Sequence, residues 1–237
     1  MAIFARADPR KLALPGGADV DLFVRRSARA RRILLQVGQV SGGVELVLPR
    51  GATLGEALEF AEQKAAWVER RLGLVLPRVP FIDGAEVPFH GAPLRIRHID
   101  VPGVAVRYID GVLLVPGRED AVSGRVKLWY RDQARREIVP RASEKAERLG
   151  RRCGRITVRD QRTRWGSCSG NGNLNFSWRL ILAPENVLDY VVAHEIAHLA
   201  EMNHGHRFWG HVGRLCAEPQ AARAWLRSRG ASLHRFG

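Results

Sequence analysis

The feature that most constrains the fold is a group of three histidines near residue 200. His194 and His198 are four residues apart, and His204 follows six residues later. On an α-helix, residues four apart lie about one turn apart on the same face, so the first two imidazoles point toward one place. A helix continuing to His204 would carry it about 15 Å along the axis from His194. The three rings can therefore meet only if the helix ends first.

We predict that the chain turns back at Asn203, because asparagine tolerates the left-handed conformation that stops helices, and Gly205 follows it. In the metzincin pattern HExxHxxGxxH a glycine makes this turn, whereas Glu201 occupies that position here. The turn in this chain is therefore expected to differ from the metzincin turn in detail.

The residue types in this run suit a zinc ion. Zinc binds histidine nitrogens, and a catalytic zinc site keeps three protein ligands and one water. Glu195, next to the first histidine, suits the role of general base, because zinc lowers the pKa of its water to about 7. For the third ligand we favour His204, with Glu218 as the alternative, because other zincins use a downstream glutamate. His206 and His211 are weaker alternatives, which we expect at the surface or beside the ligands.

The strong positive charge of the chain has two interpretations. Its 38 basic residues, four of them lysines, exceed the 24 acidic residues and give a formal net charge of +14. Arginines are concentrated in residues 25–32 and 151–164, which would suit a polyanionic partner such as nucleic acid. No recognised nucleic-acid motif accompanies them, so we favour a general bias of composition toward arginine.

Length and composition predict a globular cytoplasmic protein. A chain of 237 residues with 46% hydrophobic residues can bury a substantial core. The first eight residues lack the apolar segment of a secretion signal, and no run of about 18 uncharged apolar residues suggests a membrane span. Three scattered cysteines, Cys153, Cys168 and Cys216, are too few for a disulfide framework, so we expect reduced thiols.

The hydrophobic pattern predicts an α+β fold, with a zincin-like HExxH core preceded by a β-rich N-terminal half. Residues 22–49 and 86–116 alternate as strands do, with hairpin turns at residues 41–43 and at Asp110–Gly111. A capping box at Thr53–Glu56 begins a helix over about 54–73. We therefore divide the chain into a β-rich region with one helix, 1–118, and a zincin-like catalytic region, 119–237.

The second half combines helices with one hairpin. Apolar residues recur at near fourfold spacing from 120 to 149 and predict a long helix or a helix pair, with Pro140 as a kink or break. A strand at 156–158 precedes a hairpin within 164–180, and Pro184 then begins the histidine helix. An extended peptide could add to the exposed hairpin edge and present its carbonyl to the metal.

Several short motifs together resemble the YgjP-like metallopeptidase family, which is related to the SprT-like zincins. They are Arg164-Trp165-Gly166-Ser167-Cys168-Ser169, Leu174-Asn175, Trp178-Arg179-Leu180, Ala183-Pro184, Asp189–Glu195, Asn203-His204 and Phe208-Trp209. The arginine-rich segment 25–32, Trp67 and residues 224–230 also fit the family layout, so the resemblance covers most of the chain. It implies a zinc-dependent hydrolase, usually a metallopeptidase, with His194, His198 and His204 as ligands and Glu195 as base.

The hairpin before the histidine helix is the predicted wall of the substrate cleft. Arg164, Ser167 and Asn175 are our candidates for substrate contact. The alternative is a structural hairpin in which Gly166 occupies a tight or bulged position. We do not expect Cys168 to act as a nucleophile, because the nearby histidines serve the metal.

Three functions fit these residues. The leading hypothesis is peptide hydrolysis, in which Glu195 takes a proton from a zinc-held water and passes it to the leaving amine. The second keeps this chemistry but takes a phosphoanhydride, such as a nucleoside triphosphate, with arginines on the phosphates. The third is a basic nucleic-acid-binding protein whose zinc only holds the fold. A protease recruited to DNA would combine the first and the third.

Overall fold

The structure, a computed structural model, describes residues 9–38, 43–73, 75, 77–101, 103–161 and 163–237. The chain divides into two compact units, Met1–Pro77 and Arg78–Gly237. This division comes earlier in the chain than residue 118, where the sequence pattern separates a β-rich region from a catalytic region. That residues 1–118 and 119–237 act as separate domains stays a prediction.

The first unit contains a four-stranded sheet and two helices in its described part. They are β1 (Arg10–Ala13), β2 (Asp19–Arg26), β3 (Leu34–Val37), β4 (Val44–Leu48), α1 (Leu54–Gln63) and α2 (Ala65–Gly73). The strand order is β1-β2-β4-β3, with β2 and β4 parallel and the outer pairs antiparallel. Leu22 and Leu46 of the sheet share one buried core with Ala57, Ala61 and Val68 of the helices.

The predicted hairpin and capping box of this unit are both present. The Thr53 side chain accepts a hydrogen bond from the Glu56 amide, and the Glu56 carboxylate accepts one from the Thr53 amide. The predicted single helix over 54–73 is interrupted at Lys64, whose φ of −100° and ψ of 6° end α1. Strands β3 and β4 form the hairpin, while residues 41 and 42 of its turn lie outside the described residues.

The second unit begins with a sheet of the same topology. Its strands are β5 (Glu86–Phe89), β6 (Ala92–Ile99), β7 (Arg107–Ile109) and β8 (Val112–Pro116), in the order β5-β6-β8-β7. Again the central pair is parallel and the outer pairs are antiparallel. Asp110 and Gly111 form the predicted turn, with φ values of 46° and 80°. Two-residue hairpin turns of this kind need positive φ at both positions.

A helix of 27 residues, α3 (Val122–Arg148), follows this sheet. It continues through Pro140, so one long helix, the first of the two predicted alternatives, is confirmed, and Pro140 does not break it. Its buried residues, from Val126 to Ala146, belong to the core of the second unit. They pack against the 3-10 helix Trp178–Leu182 and against the helix α4 (Glu185–Ala197), which carries the first two histidines.

A three-stranded sheet and two further helices surround α4. They are β9 (Ile156–Arg159), β10 (Gly166–Cys168), β11 (Leu174–Ser177), α5 (His206–Leu215) and α6 (Pro219–Arg229). Strand β11 lies in the middle, antiparallel to β10 and parallel to β9, so β10 is an edge strand within the described residues. Helix α4 contacts α3, α5, α6 and β10, and most of its residues are buried. A helix that is apolar all round belongs in such a central position.

The described elements form a mixed α+β fold with a β-rich first half and most of the helical residues in the second, as predicted. None of the helices in the described part of the chain combines the length and apolar character needed to cross a lipid bilayer.

Candidate metal centre

Helix α4 places His194 and His198 on one side of its C-terminal end. The helix itself ends at Ala197, and His198 is its cap residue, with φ of −64° and ψ of −19°. The next amides bond three residues back, Leu199 to Ile196 and Ala200 to Ala197, which tightens the last turn. Both histidines therefore belong to a firmly hydrogen-bonded helix end rather than to a loop.

The chain reverses between α4 and α5, and this reversal returns His204 to the other two histidines. The helix ends before His204, as the spacing predicts. Asn203 does not adopt the predicted left-handed conformation. In the described chain the non-glycine residues with positive φ are His90 and Asp110, and Asn203 is not among them. A bond from the Gly205 amide to the Asn203 carbonyl, 2.8 Å, forms the bend instead, and α5 begins at His206. The predicted means of turning was wrong, although the predicted turn exists.

The three imidazoles meet in a geometry that suits one metal ion. One nitrogen from each of His194, His198 and His204 lies within 4.8 Å of the others. The Nε2 atoms of His194 and His204 are 3.2 Å apart. Two nitrogens that bind one tetrahedral zinc ion at ~2.0–2.1 Å are separated by about 3.3 Å. The observed separation therefore fits an ion of this kind between the rings.

Neighbouring groups hold the three histidine rings in place. The Nδ1 atom of His198 lies 3.2 Å from the backbone oxygen of Glu201, so a proton on Nδ1 leaves Nε2 free to bind a metal. Phe208, fully buried at the start of α5, lies under the cluster, with its ring centroid 4.9 Å from that of His194 and 4.6 Å from those of His198 and His204. An apolar support of this kind restricts water around the rings.

Burial also keeps the first two histidines neutral. It lowers the pKa of His194 to about 4, and the two neighbouring histidines and Arg223 contribute in the same direction. Burial likewise lowers the pKa of His198, against an opposing effect of its bond to the Glu201 carbonyl. Metal ions bind the neutral form of imidazole, so both residues are in the binding form at neutral pH.

Glu195 is a buried acid beside this cluster. The residue is only 6% exposed, and burial raises the pKa of its carboxyl group to about 7, while the positive charge of Arg164 opposes the rise. The side chain lies against Gly166 of β10. A carboxyl group whose pKa lies near the working pH can both accept and return a proton.

The alternative third ligands lie elsewhere. Among the described residues, the group able to hold a metal contains His204 and does not contain Glu218, His206 or His211. Glu218 precedes α6 as its cap residue, and the Nδ1 atom of His211 lies 2.6 Å from the Arg214 guanidinium. His206 is exposed at the first position of α5.

Two of the three candidate substrate residues share one face of the hairpin, and the third, Arg164, lies just before its first strand. Ser167 and Asn175 are paired across β10 and β11, so they share one face of the sheet. Gly166, which contacts Glu195, lies on the opposite face, because successive residues of a strand alternate. Asn175 accepts a hydrogen bond from Thr157 of β9. Arg164 alone of the three is linked to the centre, through its effect on Glu195.

Two further side chains near the centre are those of Cys168 and Arg223. Burial raises the pKa of Cys168 to about 11, so its thiol stays protonated and is a poor nucleophile, as expected. Arg223, which extends from α6 over the Trp209 ring at 5.0 Å, was not predicted from the sequence. Its charge adds to the lowering of the His194 pKa by burial, and it opposes the rise that burial gives the pKa of Tyr190. One arginine among many carries no sequence signal of its own.

Comparison with known proteins adds three findings. The family profile described as "YgjP-like, metallopeptidase domain" matches residues 31–229. Among solved structures, the chain is similar to the metallopeptidase zymogen abylysin of Pyrococcus abyssi, with 18% sequence identity and a TM-score of 0.34, over 39% of this chain and 92% of that chain. A search of the curated proteins found no match.

Proposed function

This chain belongs to the YgjP-like metallopeptidase family, and from that premise we propose that it is a zinc-dependent peptidase with a zincin-like core around its three histidines. The observation that carries this proposal is the convergence of His194, His198 and His204 nitrogens within 4.8 Å, with the buried carboxyl group of Glu195 on the same helix. Three imidazoles and one open position are the arrangement of a catalytic zinc site.

The histidine nitrogens would hold the ion, and the family membership and donor set favour zinc. A bound zinc ion would supply a Lewis acid that polarises the substrate carbonyl and acidifies the attacking water. The buried, neutral state of His194 and His198 and the support of Phe208 keep the ligand set in place without a change of protonation.

Glu195 would serve as the general base. It accepts a proton from the attacking water, whose oxygen forms the new bond to the carbonyl carbon. As the carbon–nitrogen bond breaks, the protonated Glu195 gives this proton to the leaving amine, so one water is consumed and one acid and one amine are released. A pKa raised to about 7 by burial supports both steps, because neither transfer is strongly uphill near neutral pH.

Strand β10 would align the substrate. It is an edge strand within the described residues, and it lies against α4 beside Glu195. An extended peptide that pairs with the free edge of a strand gains backbone hydrogen bonds independent of its sequence. Arg164, which is exposed and lies two residues before this strand, would contact such a peptide near the reacting carbonyl. Contacts through Ser167 and Asn175 stay predictions, since these residues lie on the other face.

The test is hydrolysis by the zinc-loaded full-length chain. We expect cleavage of unfolded protein or short peptides, and retention of zinc but loss of turnover in Glu195→Gln, because an amide cannot take the proton. Glu201→Gln is a matched control, since Glu201 contacts His198 through its backbone carbonyl. Undiminished turnover by Glu195→Gln would refute the assigned base.

The same experiment also tests the two alternative functions, phosphoanhydride hydrolysis and nucleic-acid binding. Nucleoside triphosphates replace the peptides in one arm, and release of phosphate or pyrophosphate without peptide cleavage would favour the phosphoanhydride hypothesis. Steeply salt-dependent binding to DNA, with no zinc-dependent hydrolysis, would favour the nucleic-acid hypothesis. The positive charge of the chain motivates both, and the family membership favours neither.

A further inference from the structure

A cleft of about 380 Å³ opens beside His198. We name it the arginine cleft, after Arg151 and Arg152, which line it together with the hairpin turn at residues 169–172, residues 198–200 and Met202. It therefore joins the metal centre, through His198, to a basic wall outside it. A substrate whose scissile bond lies at the centre would reach this cleft with a neighbouring side chain.

Hydrogen bonds fix the two walls of the arginine cleft to each other. The Gly154 amide donates to the Gly172 carbonyl at 2.9 Å, and the Arg155 amide donates to the Asn173 side chain at 2.8 Å. The contact is close, since a Cβ at Gly154 would lie 2.6 Å from Asn173 Oδ1. On the other side, the Arg151 amide donates to Ala146 of α3 at 2.9 Å. The arginine segment is thus held at both ends.

Within the described residues, no acidic side chain neutralises the basic groups of the cleft. Arg151 and Arg152 are both exposed, and neither takes part in an ion pair among the described residues. No aspartate or glutamate lines the cleft. Its remaining surface offers polar groups at Ser169 and Asn171 and apolar contact at Leu199 and Met202. Two cations beside a small apolar surface match a carboxylate on a short aliphatic stem.

We propose that the arginine cleft binds an acidic side chain, Asp or Glu, of the substrate close to the cleaved peptide bond, and that it makes the enzyme selective for such substrates. The inference rests on the proposed peptidase function. A guanidinium group offers a planar fork of donors that pairs with a carboxylate through two bonds, and such charge-assisted bonds are stronger than neutral ones. Because both walls are fixed, little ordering is required when the side chain enters.

The experiment uses quenched fluorescent decapeptides of neutral sequence with the zinc-loaded full-length chain. Single positions on either side of the cleaved bond carry Asp, Glu, Asn, Gln or Lys. We expect one position at which Asp or Glu raises kcat/KM about 10-fold over its amide counterpart, mainly through KM, because the contact is a binding contact. Equal values for acid and amide at every position would overturn the proposal.

A charge reversal with a matched control distinguishes a specific effect of the cleft on substrate preference from the effect of the protein's overall positive charge. Arg151→Glu/Arg152→Glu should lose the preference for acids and favour Lys at the same position. Arg131→Glu/Arg135→Glu changes the net charge equally on exposed residues of α3. By helical rise, Arg131 lies about 25 Å along the axis from the last residue of that helix. The control should keep the preference, and an equal loss in both variants would refute a specific site.

A binding measurement distinguishes failure of this inference from failure of the proposed function. Fluorescence anisotropy of the same peptides with the Glu195→Gln chain reports affinity without turnover. If peptides are cleaved but acids bind no better than amides, the cleft proposal is wrong and the peptidase function stands. If no peptide is cleaved, the peptidase function fails. A tighter acidic peptide, sensitive to Arg151→Glu/Arg152→Glu, would then still identify the cleft as a carboxylate site.

Discussion

Gly166 and Glu195 are in such close contact that no side chain fits between them. A Cβ atom at Gly166 would lie 2.5 Å from Cγ, 2.6 Å from Oε1 and 2.8 Å from Cδ of Glu195. The φ of Gly166 is not in the left-handed region, so the backbone conformation alone does not require glycine here. The requirement comes from the packing of Glu195, the proposed general base, against the edge strand.

We therefore expect Gly166→Ala to displace the Glu195 carboxylate and to lower kcat by about 100-fold, since a misplacement of about 1 Å has effects of this size. Zinc content should stay unchanged, because the three atoms nearest to the new methyl group all belong to Glu195 and not to a histidine. Gly124→Ala is the control, as a Cβ there meets nothing within 4 Å and the residue lies in α3, outside the hairpin and the arginine cleft.

A double-mutant cycle separates this role from general damage to the strand. In the Glu195→Gln background, Gly166→Ala should cost little further activity, because the displaced group no longer takes the proton. Additive losses would mean that Gly166 acts through something other than Glu195.

Arg164 should set the acid side of the pH profile. Burial raises the pKa of Glu195 to about 7 and Arg164 opposes it, so removing this charge raises the pKa further. The base works deprotonated. We expect Arg164→Ala to move the acid limb of kcat/KM to higher pH, with activity lost at slightly acidic pH and largely retained above pH ~9. Arg131→Ala, which removes an exposed arginine without effect on the pKa of Glu195, should leave the limb in place. A drop of the plateau without a shift would instead indicate a substrate contact.

The third ligand can be tested by metal content. His204→Ala should weaken zinc binding more than the about 10–100-fold that changes beside the ligands typically cause, because it removes a direct ligand. The residue is exposed, so the fold should survive, as circular dichroism can verify. Glu218→Ala should keep zinc. Metal analysis after dialysis decides between the two residues, and the reverse pattern would identify Glu218 as the ligand.

Lys145 should matter for stability. It is 6% exposed, forms an ion pair with Asp189 of α4 at 2.9 Å and donates to the Leu215 carbonyl at 2.6 Å, so one ammonium group joins α3, α4 and the end of α5. Lys145→Met leaves both partners unpaired and should lower the free energy of unfolding by about 2–3 kcal/mol. This loss is smaller than the ~3–5 kcal/mol expected when one partner of a fully buried ion pair is removed, because Asp189 keeps some contact with water.

The control for this measurement lies on the same helix. Lys127 pairs with Asp160 at 3.5 Å near the surface, so Lys127→Met should cost about 0–1 kcal/mol in urea unfolding. Similar losses of unfolding free energy for both variants would mean that the buried ion pair contributes no more to stability than the pair near the surface.

Local patterns in the sequence predicted much of the secondary structure. The capping box at Thr53, the Asp110–Gly111 turn and the long apolar stripe of α3 depend on interactions within a few residues, and all are present. Of the two alternatives predicted at Pro140, a kink or a break, the break is wrong, because that prediction also used local patterns alone. A proline disfavours a helix locally, but packing along the whole of α3 outweighs that cost.

The sequence by itself identified the three histidines of the candidate centre and the requirement that the chain reverse between His198 and His204, because spacing on a helix fixes which residues share a face. Only the tertiary structure decided that Gly166 lies against Glu195, that Ser167 and Asn175 face away from it, and that Lys145 joins three helices. These relationships join residues far apart in the chain. They depend on how a helix and a sheet pack together, which no local periodicity encodes.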